Sequence, residues 1–553
     1  MFFSPASGKI TGRPRLERAV GAPPALTAGP GRGILFFAYL YYRYTISGGT
    51  ESANSAADEN RKDTKKMFKL PVFTIDQLVR RMETEYPQRV AMRYYDEAQQ
   101  KVQEMTYGQY AHDIRCVAAE LEDKIPDIEG KRVCILAGNS YHYAATIFGT
   151  VLAGAVVVPL NRQKSWDDIQ YEVNLVEAAA ILHDGSYLEL ESALGEVYGD
   201  KLLPITGYQQ YQPAEIKPCK DREALMAIMF TSGTTGRSKG VMLSQKNLFA
   251  PMPAYCSPFG VMLEEMGVDH YDFNHFTVLP MFHIAAFTSL VSWAIMGMAH
   301  NLCTDLRNFY RDLSLMPCDT MAAVPVLLQS IHRDVMRGRK DRLGKLRVLT
   351  CGAAACTPQM MLDMMHNGFF IMQMYGLTET AGDGTWNNDQ SEKHITSVGL
   401  GDEPICQYSI QDGELCIKGD PVMMGYYKEP QQTAEVLVDG WFHTGDLVRK
   451  DEEGYYYITG RKKNLIILAS GENVSPEELE KLLSASPEVE ECMVKEKDGK
   501  ICAEVYCPAE NQEAVRDYIT ELNRTLPLYK RMTLVEFRDK PFARNATGKM
   551  VRS

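Results

Sequence analysis

The sequence predicts an α/β protein in two units: a large N-terminal one on mostly parallel sheet with helices, and a small α+β one at the C-terminus. Three observations predict it. Apolar runs at 132–137, 155–159 and 225–230 lack alternation, as strands covered on both faces do. Amphipathic or small-residue helical stretches stand among them. After Gly413 the pattern changes to short alternating runs split by Gly and Asp, which is the signature of antiparallel hairpins. The chain has 553 residues, more than one core of ~250–300 residues organises, so two or more units are expected.

Taken in order, residues 1–66 read as a low-complexity or mis-started extension, 67–460 as the large domain and 461–553 as the small one. The extension is Gly/Pro/Ala-rich and carries Arg13, Arg15, Arg18 and Arg32 ahead of an apolar run at 34–42. That run is about half of the ~20 apolar residues a membrane helix needs. A signal peptide with small residues at 52–57 is the alternative reading. No other stretch promises stable membrane insertion. From 73 to 85 helical spacing puts Ile75, Leu78 and Val79 on one side. A strand at 132–137 leads to Gly138-Asn139 and a helix at 143–153. Strands follow at 155–159, 178–182, 225–230, 276–279, 347–350 and 369–374. Hairpin strands are expected at 414–418, 441–442 and 455–458. Past the basic stretch at 461–463, a helix at 476–483, strands at 491–494 and 501–506 and a helix at 511–522 make the small unit.

Composition narrows the function classes. Net charge is -12, without the basic stripe that phosphate counterion release on nucleic acid requires. The 13 cysteines are scattered, with no C-x-x-C pair and no Cys/His cluster at metal spacing. They read as reduced thiols in a cytoplasmic protein, with Cys351 and Cys356 in a packed turn.

The sharpest feature is Thr231-Ser-Gly-Thr-Thr-Gly-Arg-Ser-Lys-Gly240, set between two apolar strands. Thr231, Ser232, Thr234 and Thr235 alternate with Gly233 and Gly236. Glycine backbone can turn successive N–H groups toward an anion, hydroxyls add donors, and Lys239 adds a point charge. A kinase-type loop needs Lys directly after its second Gly and then a helix. Here Arg237 follows Gly236 and a strand comes next. The motif resembles the adenylate-forming superfamily of acyl-CoA and aryl-CoA ligases, peptide-synthetase adenylation domains and luciferases. The resemblance runs from about Phe73 to Arg552. It implies stacked, mostly parallel sheets with helices, a small β-barrel-like part and a mobile C-terminal domain.

The resemblance assigns the later motifs. In Leu279-Pro-Met-Phe-His-Ile284, His283 matches a residue at the mouth of the acid site. Amino-acid-activating domains carry Asp there, so an uncharged acyl or aryl tail is favoured over a buried ammonium. Gly352, Ala353 and Ala354 would cover adenine, although Cys351 stands where the family usually has Gly. In Met374-Tyr-Gly-Leu-Thr-Glu379, Tyr375 and Gly376 face the nucleotide, with Tyr375 stacking on adenine. Thr378 would donate to the α-phosphate, and Glu379 is a hard oxygen ligand suited to Mg²⁺. Asp446, placed after a turn, would accept from the ribose hydroxyls with Arg461 in support. Lys463 occupies the family's hinge, more often Asp. Gly471 would let a pantetheine arm pass. Lys549 matches the mobile catalytic lysine.

These assignments imply ATP, Mg²⁺ and coenzyme A as cofactors and an acid–CoA ligase activity. The chain ends at Ser553 with no fused carrier domain, so free CoA is the expected thiol and a separate acyl carrier protein the alternative. A fatty acid is the first expectation for the acid, from 462–467 and 471–475. An aryl acid is second, from 280–284. A phosphate-loop kinase and a catalytically dead scaffold are the readings from other classes.

Overall fold

The structure is a computed structural model. It describes residues 70–186, 194–231, 237–256, 273–323, 325–352, 356–402, 405–468, 472–544, 550 and 552. The extension at 1–66 lies outside them.

Among the described residues the strands form two large sheets, one antiparallel sheet, a two-stranded ribbon of Ile466–Ile467 with Asn473–Val474 and a small C-terminal sheet. The larger has the order Leu400–Gly401, Gly384–Asn387, Phe370–Gly376, Val348–Cys351, Thr320–Ala323, Asn274–Thr277, Ala299–Leu302, Val90–Asp96, Lys101–Thr106. Its middle is parallel and its edges antiparallel. The second runs Gly425–Tyr426, Lys239–Ser244, Leu225–Thr231, Val156–Pro159, Arg132–Leu136, Ala180–His183, Leu202–Pro204, again parallel within. The expected parallel strands are therefore present. Val156–Pro159 is buried along its whole length, which is why it shows no alternation.

Local chemistry sets the helices. Thr106 and Gln109 form a capping box at the start of helix Tyr107–Lys124, and Ser140 caps helix Tyr141–Leu152. These two helices pack tightly at Gly149, where a Cβ would meet Val117 at 2.5 Å. One apolar core joins them to faces of both large sheets. No helix among the described residues is long and apolar enough to cross a membrane.

Strands Cys406–Gln411, Glu414–Gly419, Trp441–Lys450 and Tyr456–Arg461 pair antiparallel in that order, as the alternation past Gly413 predicts. Trp441–Lys450 is far longer than the two residues read from sequence. It carries Gly445 at φ 72° and a bulge beside Leu447, features that make ten residues look like a short strand and a turn. From Ile466 onward the chain has an apolar core of its own, including Val474, Leu479, Val494, Ala503 and Ile519. There helices Pro476–Leu483 and Gln512–Thr525 accompany strands Glu491–Lys497, Lys500–Tyr506 and Met532–Arg538. The last of these, paired parallel to Lys500–Tyr506, was not expected from sequence.

One composition-based expectation fails. Cys351 and Cys356 are joined by a disulfide across the turn after strand Val348–Cys351, while the other cysteines are free.

Candidate active site

Strands Leu225–Thr231 and Lys239–Ser244 form an antiparallel hairpin in which Thr231 pairs with Lys239 and Phe230 with Gly240. The hairpin carries the glycine- and hydroxyl-rich motif at its tip. Thr231 and Lys239 are placed at the two stem ends. Ser232, Gly233, Thr234, Thr235 and Gly236 lie outside the described residues, as do Ala353, Ala354, Gly471 and Lys549. The Lys239 ammonium lies over the Tyr426 ring, 4.9 Å from its centre. Tyr426 comes from the short strand next to the hairpin. Its hydroxyl donates to Glu379 Oε1 at 3.0 Å. Burial raises the Glu379 carboxyl above its usual range, against the Tyr426 hydrogen bond and the charges of Arg461 and Lys239. Tyr426 is thus a site residue that sequence reading missed. It sits in Gly425-Tyr-Tyr427, which looks like any strand edge.

Glu379 and Thr378 lie in the short turn Thr378–Thr380 that follows strand Phe370–Gly376. The turn is held at both ends. Thr380 Oγ1 donates to the Asp383 carbonyl, and Met423 N–H donates to the Glu379 carbonyl at 2.8 Å. Gly376 is required by contact, since a Cβ there would stand 2.1 Å from the Gly382 carbonyl oxygen. Gly352 meets its nearest neighbour, the Met374 carbonyl, at 3.2 Å from an ideal Cβ.

Tyr375, Asp446 and Arg461 converge. Asp446 is 2% exposed and pairs with Arg461 across the strands. Its Oδ2 accepts from the Tyr375 hydroxyl at 2.7 Å, and its Oδ1 accepts from Arg461 Nε at 2.5 Å. Sequence reading set Asp446 behind a turn. It lies within strand Trp441–Lys450, with its backbone N–H on Thr444 Oγ1 at 3.1 Å. Tyr375's hydroxyl is tied to this carboxylate, and burial with the Asp446 charge pushes it well above its usual range.

Lys463 follows Arg461 and is held below its ordinary range by partial burial, then by the charges of Arg461 and Lys239. The structure therefore gathers three cations, Lys239, Arg461 and Lys463, around the carboxylates of Glu379 and Asp446. His283 is the N-cap of helix Ile284–Met296, its Nδ1 accepting from the Ala285 N–H at 3.3 Å. Asn139, a second residue that sequence reading left without a role, braces this segment. It donates to the Leu279 carbonyl at 2.8 Å and accepts from Met281 N–H at 2.9 Å, on either side of Pro280.

The profile of a family described as AMP-binding enzyme matches residues 79–427. The chain belongs to this family. As an AMP-binding enzyme it is an adenylate-forming ligase, and its curated relatives agree in kind. It is 28% identical over 518 residues to a long-chain-fatty-acid–CoA ligase of Escherichia coli O6:H1, covering 81% of this chain and 89% of that one. It is 29% identical over 449 residues to a feruloyl-CoA synthase of an Amycolatopsis species, covering 76% and 88%. The fold matches O-succinylbenzoate coenzyme A synthetase from Bacillus subtilis in complex with AMP. The TM-score is 0.73 at 23% identity, covering 86% of this chain and 96% of that one.

Proposed function

We propose that this AMP-binding enzyme is an ATP-dependent acid–CoA ligase acting on a fatty acid. In this reading it forms an acyl-adenylate and passes the acyl group to coenzyme A. The observation that carries the reading is the convergence of Tyr375, Asp446 and Arg461 beside the Lys239–Tyr426–Glu379 cluster. Asp446, buried and held by the Tyr375 hydroxyl and the Arg461 guanidinium, would accept from the ribose diol. Lys239, with the hydroxyls and backbone N–H groups of 231–236, would meet the phosphates. Thr378, in the turn beside Glu379, would donate to the α-phosphate. Gly352 to Ala354 and the Tyr375 face would receive adenine.

Glu379 fits a magnesium ion held together with phosphates. It is a hard carboxylate whose burial penalises an uncompensated charge. Among the described residues no group of three or more His, Cys, Asp or Glu side chains could hold a metal unaided, so phosphate and water would complete its shell. Bound there, the ion would offset charge on the departing pyrophosphate.

A carboxylate is a poor acyl donor until its oxygen is joined to a good leaving group. Attack on the α-phosphate gives the mixed anhydride with AMP and releases pyrophosphate. Two anions must meet, and Lys549 is proposed to neutralise the carboxylate and α-phosphate as they do. The small unit, which begins at residue 461, then turns about Lys463. Gly471 moves in, and the CoA thiol attacks the acyl carbonyl with AMP as leaving group.

A fatty acid is supported by the long-chain-fatty-acid–CoA ligase relative. An aryl acid is the second reading, supported by the feruloyl-CoA synthase relative. The test is pyrophosphate release with ATP, magnesium and a panel of alkyl and aryl acids, with and without CoA. Sustained turnover with CoA and a fatty acid is expected. A burst that ends at one equivalent despite CoA would point to a carrier protein as the thiol donor. Failure to consume ATP with every acid would sink the reading.

A further inference from the structure

The phosphate hairpin is gripped from outside by a buried ion pair. The Lys164 ammonium contacts the Glu172 carboxylate and donates to Ser238 Oγ at 2.7 Å. It also lies 5.8 Å from the centre of the Phe230 ring. Phe230 is on the incoming stem of the hairpin and Ser238 on the outgoing one, so a single cation touches both stems directly behind Thr231 and Lys239. Glu172, on helix Trp166–Leu175, has a fully buried side chain, and its Oε2 has no hydrogen-bond partner. A second contact from the same helix reaches the hairpin, where the Arg237 guanidinium stands 4.8 Å from the Tyr171 ring centre.

The fold by itself gives no reason for this pair. Taking two charges out of water is costly, and well-packed apolar residues of similar volume often do as well or better in such a place. What an apolar pair cannot do is hold the Ser238 hydroxyl and balance a cation across two strand ends.

We infer that Lys164 and Glu172 are positioning residues for the nucleotide: they fix both stems of the hairpin and thereby hold Lys239 and Thr231 in place for the ATP phosphates. The inference rests on the hairpin being the phosphate site of the proposed ligase.

The test uses the full chain, with pyrophosphate release measured while MgATP and acid are varied separately. The double variant Lys164→Met/Glu172→Leu keeps the volume and removes both charges. It should melt near the wild-type temperature. Its KM for MgATP should rise about tenfold, the scale of one lost hydrogen bond to a charged group, with kcat and the acid KM within about twofold. Ser238→Ala should raise the MgATP KM about threefold in the same direction. Lys164→Arg, which keeps charge and donors, should recover part of the loss. A folded double variant with wild-type KM for MgATP would overturn the inference, as would equal rises in both KM values. Should the double variant not fold, Ser238→Ala decides, and an unchanged MgATP KM overturns it. Wild-type protein that releases no pyrophosphate with any acid defeats the ligase reading. Active wild type with unaffected variants defeats only the positioning role.

Discussion

Charge at the site is arranged residue by residue, and the Tyr426–Glu379 contact shows how. Burial disfavours the ionised Glu379, while the Tyr426 hydroxyl favours it. Tyr426→Phe keeps the ring beneath Lys239 and removes only the donor. The carboxyl should then rise further, because its charged form has lost a hydrogen bond. Since the ionised form is the one suited to magnesium, activity should be lost at higher pH as the solution is acidified. The acid limb of kcat/KM for MgATP should move up by about one unit, with about a tenfold loss on the acid side of the limb and little change above it. An unmoved limb would mean that Glu379 does not ionise in step with activity. At this scale the sequence was legible where a residue belongs to a dense motif. Lys239, Tyr375 and Glu379 were singled out that way. Tyr426 and Asn139 were not, since each acts on segments far away in the chain, Tyr426 on Glu379 and Asn139 on Leu279 and Met281. The Cys351–Cys356 bridge escaped although its partners are only five residues apart, because their spacing matches no cysteine motif.

Elements repeat the pattern. The two strands around the motif at 231–240 were legible because both are apolar, while their antiparallel pairing, with Thr231 opposite Lys239, was not. Strand Trp441–Lys450 was not, because its glycine and bulge imitate a turn. Strand pairing also placed two histidines where no sequence pattern draws notice. His275 and His300 are register partners on Asn274–Thr277 and Ala299–Leu302, both buried. Burial lowers His275 to about 3 and His300 well below its usual value, helped there by His275. A lowered histidine adds no protons to the folded state between the two pKa values, whereas the unfolded chain takes one up below about 6.5. Stability is therefore lost as pH falls below about 6.5, at about 1.4 kcal/mol per unit for each histidine. Asp383 and Glu120, each raised to about 7 mainly by burial, act in the opposite sense over the same range. The comparison must then be a difference. Urea unfolding of wild type and of His275→Gln/His300→Gln at pH 7.5 and 5.5 should show wild type losing about 2–3 kcal/mol more than the variant. Parallel loss in both proteins would show that these imidazoles are not the groups responsible.

At the scale of the whole molecule, one site is asked to serve two half-reactions, and the proposed hinge is built for change. The chain past Ile466 has its own core, so it can move without unpacking the large sheets. Its attachment beside Lys463 combines an ion pair with a hydrogen bond from Ser475 Oγ to the Thr459 carbonyl at 2.6 Å. Lys462 donates to Glu414 Oε2 at 2.8 Å, and the Gly445 N–H donates to Glu414 Oε1 at 2.8 Å. Against burial, which raises it, these contacts and His443 hold the Glu414 carboxyl below its ordinary value. The Lys462 end of this pair is exposed and the Glu414 end is buried, where the Gly445 N–H stays on the carboxylate. A separate core joined through a short link is the arrangement a swinging lysine requires. The proposed division of labour then makes a sharp demand on Lys549→Ala. Removal of one fixed donor to developing charge costs ~2.7–4 kcal/mol, so adenylate formation should fall ~10²–10³-fold. Thioester formation from supplied acyl-adenylate and CoA should stay within about threefold of wild type, because Lys549 has by then left the reacting atoms. Both halves can be followed in one preparation, by pyrophosphate release for the first and AMP release from acyl-adenylate for the second. Equal losses in the two would place Lys549 at the site throughout, and the turn about Lys463 would lose its purpose.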